Sequence, residues 1–202
     1  MQRPLRRSTW GPALAGPTYG APIAQPAGMS PRHPEHLTDF DYRGLYRYSL
    51  RFCTIARQEI FITQPVVDLV YEQFLRATGE ASFALITYCF MPDHVHLLVA
   101  GTSADSDCKE FVARAKQYSG FYYKKQERRR LWQRYGFERV LRNDEATLAI
   151  ARYIVENPVR AGLVTDPRHY PFLGSAVYSL EEILSAVQDD VVPDFDVRSR
   201  SA

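Results

Sequence analysis

Apolar residues recur at strand or helix spacing along the middle of the chain, between Asp41 and Asn157. Alternation with a period of two favours a strand, whereas spacings of three and four favour a helix. The segment Met91-Pro92-Asp93 interrupts one apolar run and predicts the turn of a hairpin. The predicted elements are a strand from Asp41 to about Ile55, a helix from Pro65 to Gly79, strands over Ser82–Phe90 and Val95–Val99, a helix from about Asp107 to Arg130, a strand over Phe137–Leu141, and a helix from Asn143 or Asp144 to about Asn157.

The order of these elements predicts the fold class. A strand, a helix, two strands, a helix and a strand in succession are typical of an α+β fold with a ferredoxin-like antiparallel sheet. We expect the helices to pack on one face of this sheet. An active site is then expected on the open side of the sheet or at its edge.

The two ends of the chain differ in composition from the middle. Residues 1–36 contain seven of the thirteen prolines and four of the eleven glycines, a composition that cannot offset the entropy lost on ordering. We predict a disordered leader over residues 1–40, within which Met29 is an alternative start. Residues 179–202 carry six acidic residues against two arginines and are predicted to form a solvated acidic tail. The catalytic domain is predicted over residues 41–178.

Composition excludes several classes of protein. With 202 residues, 46% of them hydrophobic, the chain is long enough for one core but short for two. No apolar run reaches the roughly 18 residues of a membrane helix, and the start lacks the order of a secretory signal, so we expect a cytoplasmic protein without a membrane partner. The three cysteines form no CxxC pair, which argues against a disulfide framework and a zinc knuckle.

Positive charge is concentrated in the middle of the chain. The whole sequence has a net charge of +2, whereas residues 109–142 contain eleven Lys and Arg against three Glu, a net of +8. With aromatic rings interleaved, this charge favours contact with a nucleic-acid backbone over a merely solvated helix face. The candidate nucleic-acid-binding residues are Lys116, Lys124, Lys125, Arg128, Arg129, Arg130 and Arg134.

His94 and His96 are the first candidates for chemistry. Side chains two residues apart on a strand project from the same face, so both imidazoles would converge while Val95 points into the core. Imidazoles without partners in an apolar strand would cost about 1–3 kcal/mol each to desolvate, and a bound cation would offset that cost. Ordinary packing or hydrogen bonding is the alternative interpretation.

Tyr153 and Asn157 are the second candidate pair. They are four residues apart in a predicted helix and therefore lie on one face, about one turn apart. One side chain could attack a substrate while the other steadies a metal. The alternative is that Tyr153 is a core aromatic residue and Asn157 ends the helix.

Three segments together resemble the REP-associated tyrosine transposases, which are relatives of the single-tyrosine HUH transposases of insertion sequences. The first is His94-Val95-His96 in its Met91-Pro92-Asp93 frame. The others are Leu131-Trp132-Gln133 and YIVENPVRAGLV, which runs from Tyr153 to Val164. The resemblance extends from about Gly44 to Phe172 and excludes the leader and the acidic tail.

This resemblance implies a role for each candidate residue. His94 and His96 would bind Mg²⁺ or Mn²⁺, with Asn157 as third ligand where related enzymes often have a glutamine. Tyr153 would attack DNA, which gives a 5′-phosphotyrosine link and a free 3′-hydroxyl. The implied partner is single-stranded or hairpin DNA, such as repetitive extragenic palindromes. Both a monomer and a homodimer are compatible with the sequence.

Other tyrosines and other functions remain open. Tyr118, Tyr122 and Tyr123 lie on the predicted basic helix, where other single-tyrosine transposases carry their nucleophile, but the YIxxNPV match favours Tyr153. A non-catalytic nucleic-acid-binding protein on the same scaffold would bind without metal and form no covalent adduct. A metal-dependent hydrolase would use water in place of the tyrosine.

Overall fold

The computed structural model describes residues 40–141 and 144–189. Within these ranges, no helix is long and apolar enough to cross a membrane. Short 3-10 turns lie at Ile55–Arg57 and Pro167–His169. The strands and α-helices are β1 (Arg47–Thr54), α1 (Gln64–Ala81), β2 (Phe83–Met91), β3 (His94–Gly101), α2 (Cys108–Glu127), β4 (Trp132–Leu141), α3 (Asp144–Arg160), β5 (Leu173–Gly174) and α4 (Leu180–Asp189).

The strands form one antiparallel sheet in the order β4-β1-β3-β2-β5. The first four strands have the order and connections of a ferredoxin-like fold, which confirms the predicted fold class. The short β5, which the sequence pattern did not predict, extends the sheet by pairing with Tyr88 and Cys89 of β2.

Helices α1 and α2 pack on one face of the sheet, as predicted. Side chains of alternate strand residues, among them Phe52, Phe90 and Leu97, form a buried core with Phe74 of α1 and Phe111 of α2. This cluster is rich in aromatic contacts, because the ring of Phe74 lies within about 6 Å of Phe52, Phe90 and Trp132.

The opposite face of the sheet is also covered, by the two later helices α3 and α4. Leu98 of β3 and Ile86 of β2 lie in a second core with Ile154 of α3 and Ile183 of α4. Because side chains alternate across a strand, these sheet residues point away from α1 and α2. The histidine pair lies on this second face, since His94 and His96 have the same parity as Leu98.

Two helices extend past the residues predicted to end them. Helix α1 continues through Gly79 to Ala81, and Ser82 ends it in a left-handed conformation with φ of 56°. Helix α3 continues through Pro158, where only one intrahelical hydrogen bond is lost near the end. The stop is Gly162, at φ of +69°. Its N–H bonds Val159 O, and the next N–H bonds Pro158 O, which is a Schellman ending.

The segment predicted as the start of the acidic tail is partly helical. Ser179 and Glu182 form a reciprocal capping box at the start of α4. The apolar face of α4, which includes Ile183, Leu184 and Val187, is buried against the second core. The net charge of this segment did not predict that part of it forms a helix with a buried apolar face. Residues 190–202, the leader at residues 1–39 and the proposed cap Asn143 lie outside the described residues.

Candidate active site

The histidine pair begins β3, directly after the turn that links it to β2. Cross-strand pairing puts His96 between Arg51 of β1 and Cys89 of β2. The Nε2 atoms of His94 and His96 are 3.0 Å apart, and the rings meet edge to face with centroids 4.7 Å apart. The two imidazoles therefore converge on one point of the sheet face, as the strand period predicted.

His96 is held in the neutral form. Its side chain is 5% exposed. Burial, the neighbouring His94 and the positive charges of Arg51 and Arg160 lower the pKa of His96 to about 3. Neutral imidazole is the form that binds metal ions and accepts hydrogen bonds, so His96 keeps this capacity throughout the physiological pH range.

Asp93 and Arg57 form a row of polar contacts next to the histidine pair. Asp93 Oδ1 lies 2.5 Å from His94 Nδ1, and Asp93 Oδ2 lies 2.8 Å from Arg57 Nε. Burial alone would raise the pKa of the Asp93 carboxyl, but the hydrogen bond with His94 and the charges of His94 and Arg57 outweigh it and lower that pKa. Asp93 is therefore a carboxylate at neutral pH.

Tyr153 lies on α3 beside the histidine pair. Its ring meets that of His96 edge to face, with centroids 5.4 Å apart and an interplanar angle of 81°. The guanidinium carbon of Arg160 lies 4.1 Å from the centre of the tyrosine ring, a cation–π geometry. Tyr153 is nevertheless 41% exposed, so a substrate can reach it.

Asn157 is buried one turn after Tyr153 on the same helix. Its amide nitrogen donates to Tyr153 O at 2.9 Å, and its Oδ1 accepts from Arg160 at 3.1 Å. Arg160 also donates to Tyr153 O at 3.2 Å. The side chain thus has partners within α3, and its oxygen retains a second lone pair.

The donor set fits a small divalent cation. Two ligands at right angles, each about 2.1 Å from Mg²⁺, lie about 3.0 Å apart, which equals the separation of the two Nε2 atoms. No group of three His, Cys, Asp or Glu side chains that could hold a metal occurs in the described ranges. Further ligands would have to be amide oxygens, water or substrate phosphate, all of which suit Mg²⁺ and Mn²⁺.

A comparison with protein families decides the class of this protein. Residues 43–157, more than half of the chain, match the family described as transposase IS200 like. The chain belongs to this family. The matched range includes the histidine pair, Tyr153 and Asn157, and membership places the protein among the DNA transposases, which confirms this part of the resemblance seen in the sequence.

Two solved structures are similar to the transposase. One is described as a REP-associated tyrosine transposase bound to a REP hairpin; it has a TM-score of 0.56 and 18% sequence identity, over 66% of this chain and 78% of the other. This likeness supports the shared fold. A putative transposase from Deinococcus radiodurans R1 gives a TM-score of 0.43 and 22% identity, over 58% of this chain and 94% of the other. The chain matches no curated protein.

The competing tyrosines of the transposase lie on α2, across the sheet from the histidine pair. Tyr118 donates to Glu80 at 2.7 Å, and Arg76 lies 4.2 Å from the centre of its ring. Tyr123 is 1% exposed in the first core. The Tyr118 ring therefore contributes to α1–α2 packing, and the Tyr123 ring to the first core. Tyr122 is 38% exposed but lies on the same helix.

A basic groove lies between the end of α2 and the start of β4. It has a volume of about 340 Å³, and Lys124, Arg130 and Arg134 contribute to its lining. The candidates Lys124, Lys125, Arg128, Arg129, Arg130 and Arg134 are all exposed. Lys116 differs from them: it donates to the carbonyls of Gln133 and Arg134 at 2.9 and 3.1 Å, and its partial burial lowers its pKa.

Sequence reasoning missed three residues of this region. Phe121 is 62% exposed on α2 and meets Tyr122 edge to face. The sequence did contain a signal for Phe121, because it is an aromatic residue within the basic stretch, four positions before Lys125. Arg160 contacts Tyr153 and Asn157 of its own helix, seven and three positions earlier, so helix spacing was a usable signal for it. The contact of Arg57 with Asp93 depends on tertiary structure. Arg57 reaches the turn before β3 from the end of β1, and sequence spacing does not indicate that approach.

Proposed function

We propose that the transposase cleaves and rejoins single-stranded or hairpin DNA through a covalent bond to Tyr153, with Mg²⁺ or Mn²⁺ bound by His94, His96 and Asn157. The observation that carries this proposal is the contact between the rings of Tyr153 and His96, with centroids 5.4 Å apart. An exposed phenol beside two converging imidazoles combines a nucleophile with a site for a phosphate-binding cation.

The proposed reaction exchanges one phosphodiester for another. Oη of Tyr153 attacks the scissile phosphorus, and the bond between phosphorus and O3′ breaks. The 5′ phosphate is then joined to the tyrosine, and the phenolic proton passes through solvent to the departing 3′ oxygen, which becomes a free hydroxyl. Attack by a 3′-hydroxyl reverses these steps and rejoins DNA without ATP.

A phenol, with an ordinary pKa of about 10, is a weak nucleophile at neutral pH. A bound cation would supply charge neutralisation at the scissile phosphate. The protein itself fixes the direction of attack, because His96 and Arg160 contact the Tyr153 ring. Asn157 would hold the cation through the second lone pair of Oδ1, because Arg160 occupies the first.

The basic groove is the proposed track for the DNA backbone. On β1, Cys53 pairs with His94 of β3, and the next residue, Thr54, pairs with Trp132 at the start of β4. The groove and the histidine pair therefore lie at the same end of the sheet. Exposed lysines and arginines would contact phosphates, and Phe121 would stack on an unpaired base. The hairpin in the similar solved structure suggests a hairpin as substrate.

The proposal is tested with single-stranded hairpin DNAs labelled at the 5′ or the 3′ end. The full chain is incubated with each DNA and Mn²⁺ or Mg²⁺, and protein-bound label is measured on denaturing gels. We expect a metal-dependent adduct that Tyr153→Phe abolishes and His94→Ala strongly reduces. Tyr122→Phe is the matched control, because this tyrosine is similarly exposed, and it should leave the adduct intact.

Two results would contradict the proposal. Cleavage retained in Tyr153→Phe and lost in His94→Ala would identify a hydrolase that uses water. Tight hairpin binding with neither cleavage nor adduct over a varied set of hairpins would identify a non-catalytic nucleic-acid-binding protein.

A further inference from the structure

The turn before the histidine pair is held by polar contacts of Arg57 and Asp93, two residues that the proposed reaction does not use directly. Arg57 bonds one oxygen of Asp93 at 2.8 Å, and the other oxygen lies 2.5 Å from Nδ1 of His94. Nε2 of His94 then faces His96 at 3.0 Å. Both oxygens of the carboxylate are engaged, so Asp93 is fixed against His94.

The backbone on both sides of this chain is also fixed. The Thr54 hydroxyl lies 2.7 Å from Gln58 O and 2.9 Å from Asp93 O, and its single proton is shared between these two carbonyls. The N–H of Thr54 bonds Asp93 O at 3.0 Å. The N–H groups of Ile60 and Phe61 bond Pro92 O at 2.7 and 2.9 Å. The end of β1 and the following loop therefore clamp the turn.

The segment that carries Arg57 adopts an unfavourable backbone conformation. Ala56 and Arg57 have φ of 51° and 56°, in the left-handed region that residues with a Cβ rarely occupy. Two consecutive residues in this region persist only when surrounding contacts stabilise them. Arg57 also donates to Cys53 Sγ at 2.8 Å. The strained turn thus directs the guanidinium of Arg57 back onto the Asp93 carboxylate.

We propose that Asp93, supported by Arg57, is a positioning residue that fixes the tautomer and ring orientation of His94 for metal binding. A carboxylate accepts, so His94 carries its proton on Nδ1, and the lone pair of Nε2 is directed towards His96 and the cation site. Carboxylate–histidine pairs of this kind raise the basicity of a metal-binding imidazole. This inference rests on the metal site of the proposed function.

The test measures Mn²⁺ affinity directly, from the electron paramagnetic resonance signal of free Mn²⁺ titrated with the full chain in the absence of DNA. We expect Asp93→Ala to weaken Mn²⁺ binding by about 10- to 100-fold. Arg57→Ala should give a smaller loss, because the carboxylate remains. Asp93→Asn keeps an acceptor for His94 and should lie between wild type and Asp93→Ala. Asp105→Ala, at an exposed aspartate, is the matched control.

Adduct formation gives a second readout. In Asp93→Ala, the Mn²⁺ concentration for half-maximal adduct should rise by the same factor, while the rate at saturating Mn²⁺ recovers. A purely structural role would lower the melting temperature without changing the Mn²⁺ dissociation constant, and that result would overturn the inference. Asp93→Asn keeps the test valid if Asp93→Ala does not fold.

The two proposals fail in different ways. If the wild-type chain binds Mn²⁺ and Asp93→Asn and Asp93→Ala bind it equally well, only the positioning role is wrong. If the wild-type chain binds no Mn²⁺ and forms its adduct without metal, the metal site and the positioning role are both wrong, while the tyrosine chemistry survives.

Discussion

Shortening Ile183 tests whether α4 belongs to the catalytic domain. Ile183 is 1% exposed and lies in the second core. The change Ile183→Ala removes three carbons, which are worth about 2.4 kcal/mol in transfer free energy at about 0.8 kcal/mol each. Incomplete collapse of the cavity adds to this loss, so we expect the free energy of unfolding to fall by about 3–4 kcal/mol. The melting temperature should fall by about 6–16 °C.

The assay is urea denaturation of the full chain, followed by circular dichroism. Gln188→Ala, on the exposed face of α4, is the control and should change stability by less than about 0.5 kcal/mol. The loss should also reduce adduct formation, because Arg152, next to Tyr153, donates to Val187 O of α4 at 3.0 Å. If Ile183→Ala lowered the free energy of unfolding by less than about 1 kcal/mol, the reasoning would be refuted. The segment from residue 179 would then be a solvated tail, as its charge predicts.

Four further predictions concern the site, the basic stretch and the α1–α2 layer. Arg160→Ala should slow adduct formation at saturating metal, because the Tyr153 ring loses a contact at 4.1 Å; an unchanged single-turnover rate would contradict this. Phe121→Ala should weaken the binding of single-stranded DNA by about 1–3 kcal/mol and leave its salt dependence unchanged. Arg128→Ala should instead reduce the slope of log affinity against log salt concentration by about 0.7. Hydrogen bonds from Tyr118 and Arg76 lower the pKa of Glu80 from 4.5 to about 2. This carboxylate therefore contributes stability above pH 4.5 that is lost as the pH falls towards 2. Glu80→Gln should flatten the dependence of the free energy of unfolding on pH in this range, as measured in acid titrations.

Local periodicity was sufficient to predict the main layer of the fold and the two candidate pairs. Strand alternation predicted that His94 and His96 share a face, and they converge to 3.0 Å. Helix spacing likewise predicted that Tyr153 and Asn157 lie one turn apart, and Asn157 bonds Tyr153 O. These relations depend only on backbone geometry over a few residues, and the sequence contains that information directly.

Relations between distant segments were decided only by tertiary packing. Which tyrosine lies beside the histidine pair depends on which sheet face each helix covers. The face that a helix covers depends in turn on the match between apolar stripes that are far apart in sequence. The approach of Arg57 to Asp93 requires a strained turn after β1, which local propensity disfavours. The sequence by itself thus identified the candidate residues and how near neighbours are oriented. The tertiary structure decided which of them meet, because burial of the two cores fixes the layers and outweighs local preferences at the ends of α1 and α3.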